Sequence, residues 1–170
     1  MKFLERVTNR YRVTSDVTRR LTYAEAEAMH RKQWFEGKHK EWDDDESYYH
    51  FPYSDKYEDE GFVEVKIPSK DIETVTGPDM AGSKTRQRVE RYKEILKKKG
   101  ERSMGPIWVS AGYRQQDGTI RRNPDYKEPF SALDGNHRAQ AAKELGHAVQ
   151  DAIMPASHWK AYTEGTIVRK

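Results

Sequence analysis

Residues Phe130–Gly146 read FSALDGNHRAQAAKELG, an apolar run that ends in Asp-Gly and passes at once into a small-residue helix. A strand that turns directly into a helix leaves the helix's first N–H groups unpaired beside the strand end, where the aligned peptide dipoles add partial positive charge. That is anion-site chemistry. Gly135 lets the backbone turn sharply, Asn136 can cap the helix, and His137 and Arg138 in the first turn add donors that suit phosphate oxygens. Asp134, at the carboxyl end of the strand, can hold Mg²⁺ or accept a proton from a substrate hydroxyl. Gly135, Asn136, His137 and Arg138 are therefore candidate phosphate ligands, Asp134 and His137 candidate catalytic residues, and Asp134 a candidate Mg²⁺ ligand.

The same residues also make an ordinary turn, with Asn136 as a cap and His137 and Arg138 at the surface. Arg138 tilts the balance toward an anion, because a cation in a helix's first turn opposes the dipole unless an anion sits there. The six histidines are scattered and none forms an HExxH pair, although His39 and His50 flank Asp43–Asp45 and could bind a metal with them. The chain has no cysteine, which excludes disulfides, a thiol nucleophile and a thiolate zinc site.

Several elements must position this stretch. Thr22, followed three residues later by Glu25, reads as a capping box opening a helix over 23–36, which Gly37 stops. Phe62–Ile67 alternates apolar and polar residues as a half-buried strand does, and Pro68 closes it. A helix over 84–99 carries Val89, Tyr92, Ile95 and Leu96 on one face and basic residues on the other. Pro106–Ser110 reads as a buried strand, with Trp108 in the core, and Asp117-Gly118 as a hairpin signal between it and Thr119-Ile120. Residues 121–129 read as an irregular insertion. Then come a strand over 130–133, a helix over 136–145 with Gly146 as its C-cap, and a strand over 148–154. The order predicts a small α/β domain with a mixed sheet over 62–156, an N-terminal extension over 1–61 with one helix and irregular structure, and a tail over 157–170.

Composition sets outer bounds. Of 170 residues 35% are hydrophobic and 35% charged, which predicts a thin core under a heavily solvated surface. No apolar run approaches the roughly 20 residues that span a bilayer, so no membrane partner and a cytoplasmic location are expected. The net charge of +3 hides blocks: residues 41–60 hold nine acids against one lysine, and residues 84–102 nine Lys or Arg against three acids. The acidic block is interleaved with Trp42, Tyr48, Tyr49, Phe51, Tyr53 and Tyr57; a docked arm is the first reading, since so many rings are costly to leave in water, with a partner surface or a polyanion mimic as others. The basic helix is either an amphipathic helix with a charged outer face or a phosphate-tracking element. In the second case Lys84 and Arg86 join the phosphate site, and Arg88, Arg91, Lys97, Lys98 and Lys99 meet a nucleic-acid backbone.

The run Leu133-Asp-Gly-Asn-His-Arg-Ala-Gln-Ala-Ala-Lys-Glu-Leu-Gly146 resembles the signature box of the ParB/sulfiredoxin superfamily, in which a strand, a G-x-[HR]-R turn and a helix hold nucleotide phosphates. Pro106-Ile-Trp-Val109 is similar to that family's P-I-x-V strand, and the likeness covers roughly residues 62–156. The resemblance implies a ParB/sulfiredoxin-like fold that binds ATP, ADP or CTP with Mg²⁺. Activities in the superfamily include DNA segregation, sulfinic acid reduction, free-serine phosphorylation and domains assigned as nucleases, so the fold alone does not select one. The reductase carries a cysteine where this chain has Asn136, which removes that chemistry. The Asp-Gly-x-His-Arg form is closest to the serine-kinase branch, whose carboxylate base on the segment entering the first family helix corresponds to Asp79 here. A nucleotide-dependent phosphotransferase or NTPase is thus the first expectation. A DNA-binding or DNA-processing module is the second, and a non-enzymatic interaction protein the third.

Overall fold

The computed structural model describes residues 17–36, 49–74, 84–101 and 103–169. Within them the fold is mixed α and β, as the order of elements predicts. The main sheet contains β1 (Val17–Leu21), β2 (Phe62–Pro68), β3 (Ile72–Glu73), β4 (Ile107–Ser110), β7 (Phe130–Asp134) and β8 (Val149–Pro155), in the order β1-β2-β8-β4-β7-β3. β8 runs parallel to β4 and β3 parallel to β7, while the other neighbours are antiparallel. The helices are α1 (Tyr23–Glu36), α2 (Lys84–Lys99), α3 (Asn136–Glu144) and α4 (Ala156–Glu164).

Each face of the sheet has its own core. Val63, Val65 and Ile67 of β2 join Ile107, Val109 and Phe130 beneath Ala139 of α3 and Trp159 of α4. Phe62, Trp108 and Ile153 point the other way, into Ala26 of α1 and the rings of Phe51, Tyr53 and Tyr57. The aromatic segment is therefore a docked arm over its described part. Tyr53 pins it by donating its O–H toward the carbonyls of Val109 at 2.6 Å and Ile153 at 3.1 Å, on two adjacent strands. Burying each such ring is worth about 1.5–3 kcal/mol.

Residues 17–36 and 49–61 pack into the same fold: β1 lies in the sheet, and α1 and the aromatic arm lie on its face. β1 pairs with β2 and its Arg19 reaches the buried Glu64 at 2.7 Å, while the two cores cover β2 on both faces, so that it is not half-exposed. Thr22 and Glu25 do form the capping box: the Glu25 N–H donates to Thr22 Oγ1 at 3.1 Å, and the Thr22 N–H to Glu25 Oε1 at 2.8 Å. Two further expectations are corrected. Residues 156–164 form α4 in place of a tail, opened after Pro155 and closed at Gly165 in the left-handed region. The Asp117-Gly118 hairpin joins two short strands of its own, β5 (Tyr113–Arg114) and β6 (Ile120–Arg121), and does not pair β6 with β4.

α2 packs Val89, Tyr92 and Leu96 against Ala141 and Ala142 of α3. No helix among the described residues is long and apolar enough to cross a membrane.

Candidate functional site

β7 and β4 change register at the strand end: Trp108 faces Asp134 while Val109 faces Ala132, so Leu133 is the extra residue of a bulge. A bulge re-aims the side chains beyond it. Here it brings the Asp134 carboxylate to the sheet face that carries Trp108, and leaves Leu133 43% exposed.

On that face α1 presents His30, one turn beyond Ala26 and 1% exposed. Its ring stands edge-on to Trp108 at 4.9 Å, with Phe51 at 5.6 Å and Tyr49 at 5.5 Å. His30 Nε2 lies 2.7 Å from Asp134 Oδ2, and Nδ1 lies 3.0 Å from the Tyr49 hydroxyl. That hydroxyl has two acceptors in reach, His30 Nδ1 and the Glu27 carbonyl at 3.3 Å. When it donates to Nδ1, the neutral ring carries its proton on Nε2 and donates to the carboxylate. Burial first, and Glu27 next, hold the Tyr49 phenol well above its ordinary value, so it stays protonated. The result is a chain Tyr49–His30–Asp134 in which the central imidazole is buried and both ends, Tyr49 and the carboxylate at 22%, are partly exposed.

After Asp134 the backbone turns through Gly135 at φ +88°, a left-handed conformation that costs other residues strain. A Cβ there would also lie 2.6 Å from Arg138 Nη2 and 2.9 Å from Ile107 Cγ2. Gly135 itself is the N-cap of α3, and Asn136 is the first helical residue, so the expected cap moves back by one. Asn136 and His137 are partly exposed in that first turn.

Arg138 departs from the expected surface donor. It is 4% exposed and turned inward, with Nη1 donating to the carbonyls of Met104 at 2.8 Å, Gly105 at 3.2 Å and Pro106 at 3.3 Å. Its Nε and Nη2 are sealed without a hydrogen-bond partner. Burial lowers its pKa, opposed chiefly by the charge of Asp134. An arginine does not lose its proton in proteins. Asp134 is thus the negative group that offsets a cation buried beneath the turn.

The structure does not bring Arg86 to the turn. Its guanidinium pairs with Glu144 at 2.5 Å and Glu90 at 2.6 Å, and Glu144 is the last residue of α3, about 12 Å of helix rise beyond Asn136. Arg86, supported by Gln140 and Lys93, holds the Glu144 carboxyl down to about 2. Arg88 is half-buried, while Arg91, Lys97, Lys98 and Lys99 are exposed along α2. Asp79 and the side chain of Lys84 lie outside the described residues, as do His39 and Asp43–Asp45.

Among the described residues no group of three or more His, Asp or Glu side chains is placed to hold a metal ion. Asp134 fits Mg²⁺ only as a single protein ligand, in the manner of sites where Mg²⁺ arrives with a nucleotide's own oxygens and water. The motifs of the sequence do not single out His30. The available signal was its place one turn from Ala26 on the core side of α1, where a buried polar ring must find partners. Comparison with protein-family models, with curated proteins and with solved structures finds no match for the chain.

Proposed function

We propose that this protein is a nucleotide-binding enzyme of ParB/sulfiredoxin-like type, a phosphotransferase or NTPase acting on ATP, ADP or CTP in the cytoplasm. The observation that carries the reading is the Asp134 carboxylate, partly exposed at the start of α3 and held from behind by the buried His30 at 2.7 Å. The phosphates lie at the first turn of α3, against the backbone N–H groups and the side chains of Asn136 and His137. Arg138 acts from beneath, as a brace on residues 104–106 rather than as a direct ligand.

Asp134 takes the proton of the attacking hydroxyl, from water or an acceptor. The freed oxygen bonds to the terminal phosphorus as the bridging P–O bond breaks and its electrons leave with the shorter nucleotide. His30 keeps the carboxylate oriented, and its Nε2–H stabilises the ionised form until the proton is taken. Bound Mg²⁺ supplies charge neutralisation on the phosphates.

A second reading, a DNA-binding module, is favoured by the exposed run Lys97–Lys99. It is weakened where Arg86 and Lys93 are both engaged by Glu90 and Glu144. The interaction-protein reading loses the surface it needs within the described arm, since Phe51, Tyr53 and Tyr57 are buried. The first test is calorimetric titration of the whole chain with ATP, ADP, CTP and GTP in the presence of Mg²⁺. Binding of at least one is expected; binding of none removes the reading.

A further inference from the structure

Arg122 is 2% exposed, yet the described residues give its guanidinium no carboxylate partner. Nε donates to the Glu128 carbonyl at 2.7 Å and Nη2 to Ser131 Oγ at 2.8 Å, and the cation lies over the Tyr126 ring at 4.6 Å. These partners are all neutral. Glu73 and Glu128 act on Arg122 through charge alone, and Glu73 Oε1 is occupied by the N–H groups of Lys127 and Glu128. Arg169, anchored on the carbonyls of Tyr126 and Lys127, adds a second cation close by. Burial, then Arg169, pushes Arg122 down to about 10. Because the group stays charged, that depression marks a buried charge whose cost is only partly offset within the described residues. Buried charges in proteins are as a rule paired.

The place for a partner is open. Arg122 lines a cleft of about 370 Å³ together with Ser131, Asn123, Leu133 and His158, within the size range of small-molecule sites. Nη1 makes no hydrogen bond to a described residue, and it is not among the sealed unpartnered atoms, which belong to Arg138 and Ser157. As Arg122 lines the cleft, Nη1 is the donor available to a ligand there. Ser131 Oγ accepts from Arg122 and keeps its own proton for a ligand oxygen.

The wall beside it carries the same sign of field. His158 Nδ1 accepts the Ala111 N–H at 2.9 Å, so Nε2 bears the proton and donates to the Tyr57 hydroxyl at 2.9 Å. Burial, then Lys56, Arg114 and Arg122, hold this imidazole down to about 3. Arg114 is neutralised by Asp59 and Glu60. Lys56 is not: its ammonium meets the Arg114 carbonyl at 3.5 Å and the Tyr57 ring, and it too lines the cleft.

We propose that this cleft binds a small molecule bearing an oxyanion, a carboxylate or phosphate group paired with Arg122 and Ser131, with its apolar body against Leu133. The site is separate from the Gly135 turn and stands even if that turn holds no nucleotide.

The test is isothermal titration of the full chain, without nucleotide and at low salt, with benzoate, phenyl phosphate, inorganic phosphate and neutral benzamide. At least one ring-bearing anion binds, benzamide does not, and the preferred anion tells carboxylate from phosphate. Arg122→Gln weakens that binding at least tenfold. If this buried variant fails to fold, Leu133→Trp fills the cleft from an exposed wall position and gives the same loss. Absence of anion binding at 10 mM probe, equal binding of benzamide, or full binding by Leu133→Trp overturns the proposal.

Discussion

His30 Nε2 and Asp134 Oδ2 stand 2.7 Å apart although the two residues are separated by 104 positions in the chain. The contact joins α1, near the start of the chain, to the turn that carries the candidate chemistry. Removing the imidazole strips the carboxylate of its buried donor and opens a void between Trp108, Phe51 and Tyr49. His30→Ala should therefore cost about 2–4 kcal/mol of stability in urea unfolding, with His30→Gln costing less because an amide N–H can still donate. Equal stability of His30→Ala and wild type would count against the contact.

Gly135→Ala tests the turn. Left-handed backbone costs an alanine about 1–2 kcal/mol, and the new methyl also meets Arg138 Nη2 and Ile107 Cγ2. A loss above about 2 kcal/mol is expected, read as a lower urea midpoint at unchanged m-value.

Arg138 separates a brace from a ligand. Arg138→Ala abandons three backbone carbonyls and leaves a cavity, so a loss of about 2–4 kcal/mol is expected. Arg138→Met keeps most of the packed volume and removes the orphaned nitrogens; it should fold better than the alanine variant and keep nucleotide affinity within about threefold. A folded methionine variant with a tenfold loss of affinity would show that the guanidinium reaches the phosphates after all.

His158 predicts an acid dependence. Its folded pKa of about 3 lies below the unfolded value near 6.5, so between these limits the unfolded chain binds a proton that the folded chain does not. Its stabilising contribution is complete above pH 6.5 and falls by up to about 1.4 kcal/mol per pH unit below it. Glu144, with a folded pKa of about 2, loses its contribution as pH falls through the carboxylate range, so pH 6.5–5 separates the histidine from that carboxylate, and comparison with His158→Gln separates it from the other histidines. His158→Gln should flatten the slope of unfolding free energy in that window. An identical slope in wild type and variant contradicts a buried neutral His158.

What the sequence discloses follows from how local each cause is. The Thr22–Glu25 capping box, the Lys84–Lys99 helix and the strand-turn-helix at Asp134–Asn136 are set by neighbours within a few residues, and each is where local pattern places it. α4 is equally local: Pro155 and Gly165 bracket nine residues with Trp159 and Tyr162 three apart, a start and stop signal. His30 and Arg138 are different. Their roles depend on Asp134 and on the carbonyls of residues 104–106 arriving from distant parts of the chain. The helix dipole disfavours a cation at Arg138 only while its guanidinium stays in the first turn, and three backbone carbonyls from residues 104–106 draw it beneath. Fold class was legible, while the partners of the buried charges were not.

The most direct measurement compares phosphate release or phosphoryl transfer by wild type and Asp134→Asn, with Mg²⁺, across ATP, ADP and CTP and a set of hydroxyl acceptors. An asparagine can still accept from His30 Nε2–H and still make the turn, so the variant isolates the loss of charge and basicity. The account predicts nucleotide affinity within a few-fold of wild type and turnover reduced by about 10²-fold or more. Wild-type turnover in the variant, or no turnover by wild type under any of these conditions, contradicts it.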